Sequence, residues 1–521
     1  MNSKKFEDKI YVYILCAITI IIFLYLFFNC VSYELHHAYT ADAPLYWAVA
    51  RGILNGITPY SGLYENKPLG IFIIAVISFV LTDDTIVCNI VSILSLLVVA
   101  IVPSICVFYI FKKEYSDKIK NNYYFIMTLL ITFLSSIILM VYCEERSGGF
   151  QVEAIGAAFS VLYIFSVILL KYAKGKKQVI RRSIFNAISI MLAVSMKEPF
   201  LVVAVIGSLL FIDDFKSFWK CIVLPGLLGG VLYILNLLIL GLFKPYFNIY
   251  FMYMFSTKIS GYSSIYSRAF NIKILLFDLL NFDKCCIFIV ISFLLTSFLL
   301  IKYKDKLMRI YHLLRTFVAL ISASFCVGLG ATYYNHHFIF ALPIYIVFVI
   351  CGALFLNSVR NKNNYVKGIV FSFVIILLMM CYSQKSREYF GDYTERYSII
   401  KENAEYVDRL LDFYNVDRYQ YIGFNGEYEF YGLTKHSPMG PAFTQFDYNF
   451  QSKDTWFAKN FINQLNESKI VIFQSITAPV LYDDIMDILD NDFTLIPPKE
   501  FEEMPSNFVH KIYYRKGYFN D

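Results

Sequence analysis

The chain has 521 residues, of which 58% are apolar and 18% aromatic, and its mean hydropathy is +0.56. A water-soluble globule could not carry that composition without exposing large apolar patches, so the sequence describes a polytopic membrane protein. The net charge of +6 is spread over loop ends and implies no nucleic-acid partner, and the 11 cysteines show no zinc spacing, so neither a disulfide framework nor a structural metal is inferred.

A crossing of ~30 Å at about 1.5 Å per residue needs roughly 20 apolar residues, or a few fewer where flanking side chains snorkel. In chain order such runs fall at 10–32, 86–111, 123–142, 154–171, 181–195, 198–212, 219–242, 285–301, 314–331, 336–356 and 366–383, eleven in all. The first is too long for a removable signal peptide and lacks a small-residue cleavage pattern, so it is expected to stay as an anchor. The run 69–81 is short and ends at Thr82-Asp83-Asp84, which suits an interfacial or re-entrant helix. With the N-terminus cytoplasmic, the inner segments hold 23 Lys and Arg and the outer loops 9, the bias that the positive-inside rule expects. Outer loops then lie at 33–85, 143–153 and 243–284, and the residues after 383 lie outside as well. Beyond a transmembrane domain at 1–383, helical patterns at 400–414 and 455–467 alternate with β-type runs at 419–424, 469–475 and 508–514. These predict a small extracytoplasmic α/β domain over 384–521.

Between the first two crossings lies TADAPLYWAVARGILNGITPYSGLYENKPLG (40–70), which sets an acid, Asp42, and a cation, Lys67, at the membrane edge. Ionisable groups are costly near hydrocarbon, and the pair therefore invites a functional reading. Outside the cytoplasm neither ATP nor a nucleotide sugar is normally at hand. The activated donor available there is a sugar on a polyprenyl phosphate, whose leaving group departs as a stable anion. Such a reaction needs a base for the acceptor and cations for the phosphate.

The order of Asp42, Tyr46, Ala50, Gly56, Pro59-Tyr60, Tyr64 and Lys67-Pro68 after a first span resembles the first outer loop of the GT-C glycosyltransferases. The likeness is to the protein O-mannosyltransferase and lipid A aminoarabinose transferase group. In the second outer loop, CEERSGGFQVEAIG (143–156), Glu153 stands where that group has a second acid. Met196-Lys197-Glu198-Pro199 resembles its Lys-containing turn, and Tyr334-Asn335-His336-His337 with Pro343 resembles its late His-Tyr and Pro pattern. Two positions depart: Leu69 follows Pro68 where a second proline is common, and His337 replaces an aromatic hydroxyl. The resemblance implies a polytopic α-helical GT-C membrane protein of 11 to 13 transmembrane helices. It also implies a polyprenyl-phosphate sugar donor, inversion at the anomeric carbon, and an acceptor glycan, lipid or protein. The expected place is the cytoplasmic membrane of a bacterium, in contact with membrane lipid and serving its cell-envelope glycans.

On this reading Asp42 is the general base; alternatively it caps the helix beginning near Pro44, and one residue can do both. Lys67 binds the donor phosphate, or snorkels from the start of the 69–81 helix. Glu153 is a second catalytic acid that orients the acceptor, or holds a divalent metal jointly with Asp42, or faces the dipole of the next span. Arg146, Lys197, His336 and His337 are candidates for phosphate compensation, each at a span end where snorkelling or hydrogen bonding would also put it. Glu144 and Glu145 read as a solvated face. The segment KPYFNIYFMYMFSTKISGYSSIYSR (244–268) reads as an interfacial aromatic belt, its alternative being a groove for lipid or sugar. Two functions compete with a transferase. A polysaccharide polymerase or ligase acting on lipid-linked glycans would want an arginine-rich late loop, where 243–284 offers Arg268 alone. A lipid-linked sugar transporter would want midplane ionisable groups and duplicated halves.

Overall fold

The computed structural model describes residues 2–36, 42–114, 123–254, 306–329, 334–358, 393–424, 428–446, 449–476, 479–497, 499 and 501–519. Up to Ser358 the helices are α1 (Asn2–His36), α2 (Ala43–Leu54), α3 (Leu69–Thr82), α4 (Ile86–Glu114), α5 (Tyr123–Ser147), α6 (Val152–Lys171), α7 (Lys176–Met196), α8 (Pro199–Ser208), α9 (Phe215–Ile239), α10 (Lys306–Gly328) and α11 (Leu342–Ser358). A 3-10 segment, Asn335–Ala341, leads into α11. Among the described residues eight helices are long and apolar enough to cross a membrane, and they coincide with eight of the eleven runs expected from the sequence. The run at 198–212 is the exception. It folds as the ten residues of α8 and a three-residue 3-10 turn, ended by extended backbone at Ile212, and spans only about 20 Å of a ~30 Å core. The runs at 285–301 and 366–383, and loop residues 255–284, lie outside the described residues.

The described residues divide into two compact units: those within 1–35, 89–236 and 256–390 form one, and those within 36–88, 237–255 and 391–521 the other. The first unit is built around α11, whose apolar stretch is 94% buried, whereas α9 is only 22% buried. A helix apolar on every face is stable in either place; α11 spends its faces on protein and α9 turns most of its own outward. Leu134, Ile137 and Ile138 of α5, Val161 and Ile164 of α6, and Ile344 and Val347 of α11 share one core. Gly156 of α6 lets Phe200 of α8 lie on bare backbone, for a Cβ there would stand 2.2 Å from Phe200 Cε2. Phe200 in turn packs against Phe340 with ring centres 5.0 Å apart. The end of α8 is closed by Arg315, which donates to the carbonyls of Leu209 and Ile212 where the helix runs out.

The second unit holds α2, α3 and the C-terminal elements: α12 (Tyr393–Phe413), β1 (Arg418–Gly423), β2 (Ser437–Pro438), α13 (Trp456–Glu467), β3 (Ile470–Ser475), α14 (Tyr482–Asp492), β4 (Phe493–Thr494) and β5 (Lys511–Arg515). The strands form one sheet in the order β2-β1-β3-β5-β4. β1 is parallel to β2 and β3, while β5 runs antiparallel to β3 and β4. The tail is thus the small α/β fold that its alternating patterns announce. Ile470, Val471 and Ile472 are all buried, as a central strand covered on both faces requires. Thr455 caps α13 by accepting from Ala458 N, and Phe457, Phe461 and Leu465 give that helix its buried stripe.

The loop that carries Asp42 and Lys67 is fastened to this sheet. Gly432 admits the Trp47 ring, since a Cβ at that glycine would stand 2.4 Å from Trp47 Cε3. Tyr64 N donates to Pro441 O, Arg418 Nη2 to Gly62 O, and Asn55 Nδ2 to Lys435 O and Ser437 Oγ. Tyr64 belongs to the same apolar cluster as Phe457 and Phe461. The described start of the Tyr-rich segment corrects the belt reading there: Tyr246 and Tyr250 are buried and lie 5.8 and 5.1 Å, centre to centre, from the Tyr60 ring.

Candidate active site

The candidate residues gather in two clusters, one in each unit. In the second unit, Asp42 occupies the N-cap position of α2 but makes no capping bond with its side chain. Its carbonyl accepts from Leu45 N and Tyr46 N, and its carboxylate is left for other work. Tyr46, one helical turn on, donates its hydroxyl to Asp42 Oδ2 at 3.3 Å, and Lys67 Nζ stands 3.6 Å from the same oxygen. Lys67 is turned inward, its side chain only 8% exposed, where a snorkelling lysine would reach for water. Its ammonium donates to Asn66 Oδ1 at 2.7 Å and to Glu65 Oε1 at 3.4 Å, and lies 5.5 Å from the centre of the Tyr46 ring.

Tyr60 makes this turn possible. It is a fully buried non-glycine residue at φ +67°, a left-handed conformation that a bulky residue holds only when its surroundings insist. Its hydroxyl donates to the carbonyl of Lys67 at 3.2 Å, which ties the turn to the lysine. α2 is further tied to α3 by Arg51, 2.7 Å from Asp83, whose hydrogen bond and charge hold the Asp83 carboxyl below the usual range.

In the first unit, Glu153 lies in the first turn of α6 and is fully buried. Lys197 stands in extended backbone (φ −164°, ψ 133°) at the break between α7 and α8, where Pro199 opens the next helix. Its Nζ meets Glu153 Oε1 at 2.5 Å, an ion pair buried on the acid's side and half-buried on the lysine's, and lies 5.1 Å from the centre of the Phe340 ring. His336 and His337 arrive from the 3-10 segment, with His336 Nε2 3.9 Å from Glu153 Oε1. Arg146, in the last turn of α5, stands over the Tyr142 and Phe338 rings at 5.7 and 5.3 Å.

One acid departs from its sequence reading, and two further buried acids have none. Glu144 is buried rather than on a solvated face, while its neighbour Glu145 is exposed. Glu65, two residues before Lys67, is buried and contacts the lysine, which only proximity in the sequence could have hinted at. Glu34, near the end of α1, is buried and accepts from Gly149 N at 3.0 Å, and so fixes the turn that precedes α6.

A carboxylate beside an ammonium in the second unit, and a buried acid beside a lysine and an imidazole in the first, are each groups that can exchange a proton or bind an anion. The apolar helices mark a multi-pass membrane protein, and its fold has solved counterparts. Two solved structures are similar over nearly the whole chain, covering 96% of it and 97% of their own. ArnT from Cupriavidus metallidurans bound to undecaprenyl phosphate matches with a TM-score of 0.58 at 10% identity. The same protein in the apo state matches with a TM-score of 0.59 at 11% identity. At such identity the likeness is one of fold. No family model and no curated protein matches the chain.

Proposed function

We propose that this chain is an inverting glycosyltransferase that moves a sugar from a polyprenyl-phosphate donor to an acceptor on the extracytoplasmic side of a bacterial cytoplasmic membrane. The observation that carries the reading is the approach of Asp42 and Lys67 to 3.6 Å in the loop after the first span. A fold shared with a protein solved with undecaprenyl phosphate supports the choice of donor.

Asp42 takes the proton of the acceptor nucleophile as that atom attacks the anomeric carbon. The bond from that carbon to the phosphate oxygen breaks, and the polyprenyl phosphate leaves as an anion toward the Lys67 ammonium. Tyr46 and Lys67 between them hold the Asp42 carboxylate in place through Oδ2. Glu153 orients the acceptor, Arg146 and Lys197 supply positive charge, and His336 and His337 supply ring N–H groups for the phosphate. In this reading residues 1–383 are the transferase domain, 384–521 are extracytoplasmic, and the N-terminus is cytoplasmic.

The test incubates the purified chain with a panel of polyprenyl-phosphate sugars and measures release of polyprenyl phosphate. Asp42→Asn should lower turnover by at least about 100-fold, in the range expected for loss of a general base, while its size-exclusion profile stays that of the parent. Full activity in that variant removes Asp42 from the chemistry.

A further inference from the structure

We infer that Glu153, His336 and His337 form a binding site for a zinc-like first-row divalent cation. One donor atom from each lies within 4.8 Å of the other two. The 3.9 Å between His336 Nε2 and Glu153 Oε1 is too long for a hydrogen bond. It is close to the separation of about 3.4 Å between two donors that each stand about 2.1 Å from one tetrahedral ion.

The surroundings restrain these donors. The Tyr334 ring is stacked on His336 at 5.6 Å and 4°, and His337 stands edge-on to His336 at 4.6 Å and 5.8 Å from Phe340. Glu153 is fixed on the first turn of α6, shut away from solvent. Two imidazole nitrogens and one carboxylate favour zinc over magnesium or calcium, which prefer shells of oxygen. Three protein donors also leave a fourth position for water or for an oxygen of an anion.

Lys197 marks the same place as one that attracts positive charge, with its ammonium 2.5 Å from Glu153 Oε1. Ammonium and dication compete for that carboxylate, so Lys197 holds the site in the metal-free protein and gives up Oε1 when the ion enters. The inference does not depend on the transferase reading, because bound metal is counted directly.

The test uses the full-length purified chain in detergent, stripped with a chelator and titrated with zinc chloride against a chromophoric competitor, with bound zinc counted after desalting. The parent should hold one zinc per chain. Glu153→Gln and His337→Ala should each weaken it by at least about tenfold. Lys197→Met, which removes the competing cation but keeps the side chain's length, should bind zinc more tightly. Size-exclusion profiles are read on the same samples, and His336→Asn serves as a further ligand removal should either of the others fail to fold. A parent without zinc, zinc undiminished by the ligand substitutions, or zinc lost from Lys197→Met each overturns the site.

Discussion

His510 and His436 show how differently one residue type can be used around a single sheet. His510 lies among the rings of Tyr421, Phe430 and Phe508, and burial lowers its pKa to about 4. The unfolded chain takes up that proton near pH 6.5 and the folded one does not, so stability falls as pH drops from about 6.5 to 4, by on the order of 3 kcal/mol. His436 is the reverse case. Its hydrogen bond to Asp408 at 2.9 Å, with the charges of Asp408 and Asp412, raises its pKa. Its contribution is complete below about pH 6.5 and fades as pH rises through the folded value. Thermal melts of the purified chain from pH 4 to 9 should therefore show an acid limb that His510→Phe flattens and an alkaline limb that His436→Gln flattens. Profiles unchanged by either substitution would contradict both assignments. The charged candidates Asp42, Lys67, Glu153 and Lys197 stand out in the sequence because they interrupt apolar surroundings. Which of them touch does not. The contact of Lys67 with Asp42 depends on a left-handed turn at Tyr60, and a tyrosine gives no sequence warning of positive φ.

At the level of elements, apolar run length was enough to find the long helices, since a membrane admits few other structures. It failed at α8, where thirteen residues of similar hydropathy do not reach across, and it gave no hint of the 3-10 segment that carries His336 and His337. The burial of Glu144 was readable by helical phase. It follows Ile137 and Val141 at intervals of four and three residues, on a face of α5 that is buried throughout. That face is hard to notice because α5 is apolar nearly all round. Gly156 offers a test of how elements set the site. Gly156→Val should cost about 1–3 kcal/mol by overpacking against Phe200 and, through Phe340, disturb the seat of Lys197. Melting temperature in detergent is the readout, with Gly230→Val as the comparison, because nothing lies within 4 Å of a Cβ there. Equal melting temperatures for the two variants would show that the contact with Phe200 is not tight.

For the molecule as a whole, the order of spans and one loop pattern pointed to a GT-C fold that the structure bears out at 10% identity to a solved relative in fold. Helices facing lipid and one another are satisfied by almost any mixture of Leu, Ile, Val and Phe, so the architecture persists while the sequence drifts. Orientation is the property to test at this scale. Alkaline phosphatase, which is active only outside the cytoplasm, should be active when fused after Asp521 and inactive when fused at Lys174 in the loop between α6 and α7. The opposite result inverts the topology. One further consequence follows from the bond of Arg418 to Gly62, which joins residues 356 positions apart. The loop bearing Asp42 leaves the ribosome early and waits for its seat until most of the protein has been translated. Products of premature termination would carry the acid and the lysine yet lack the surface that shapes them, and synthesis itself thus keeps the loop unfinished until β1, β2 and α13 are made.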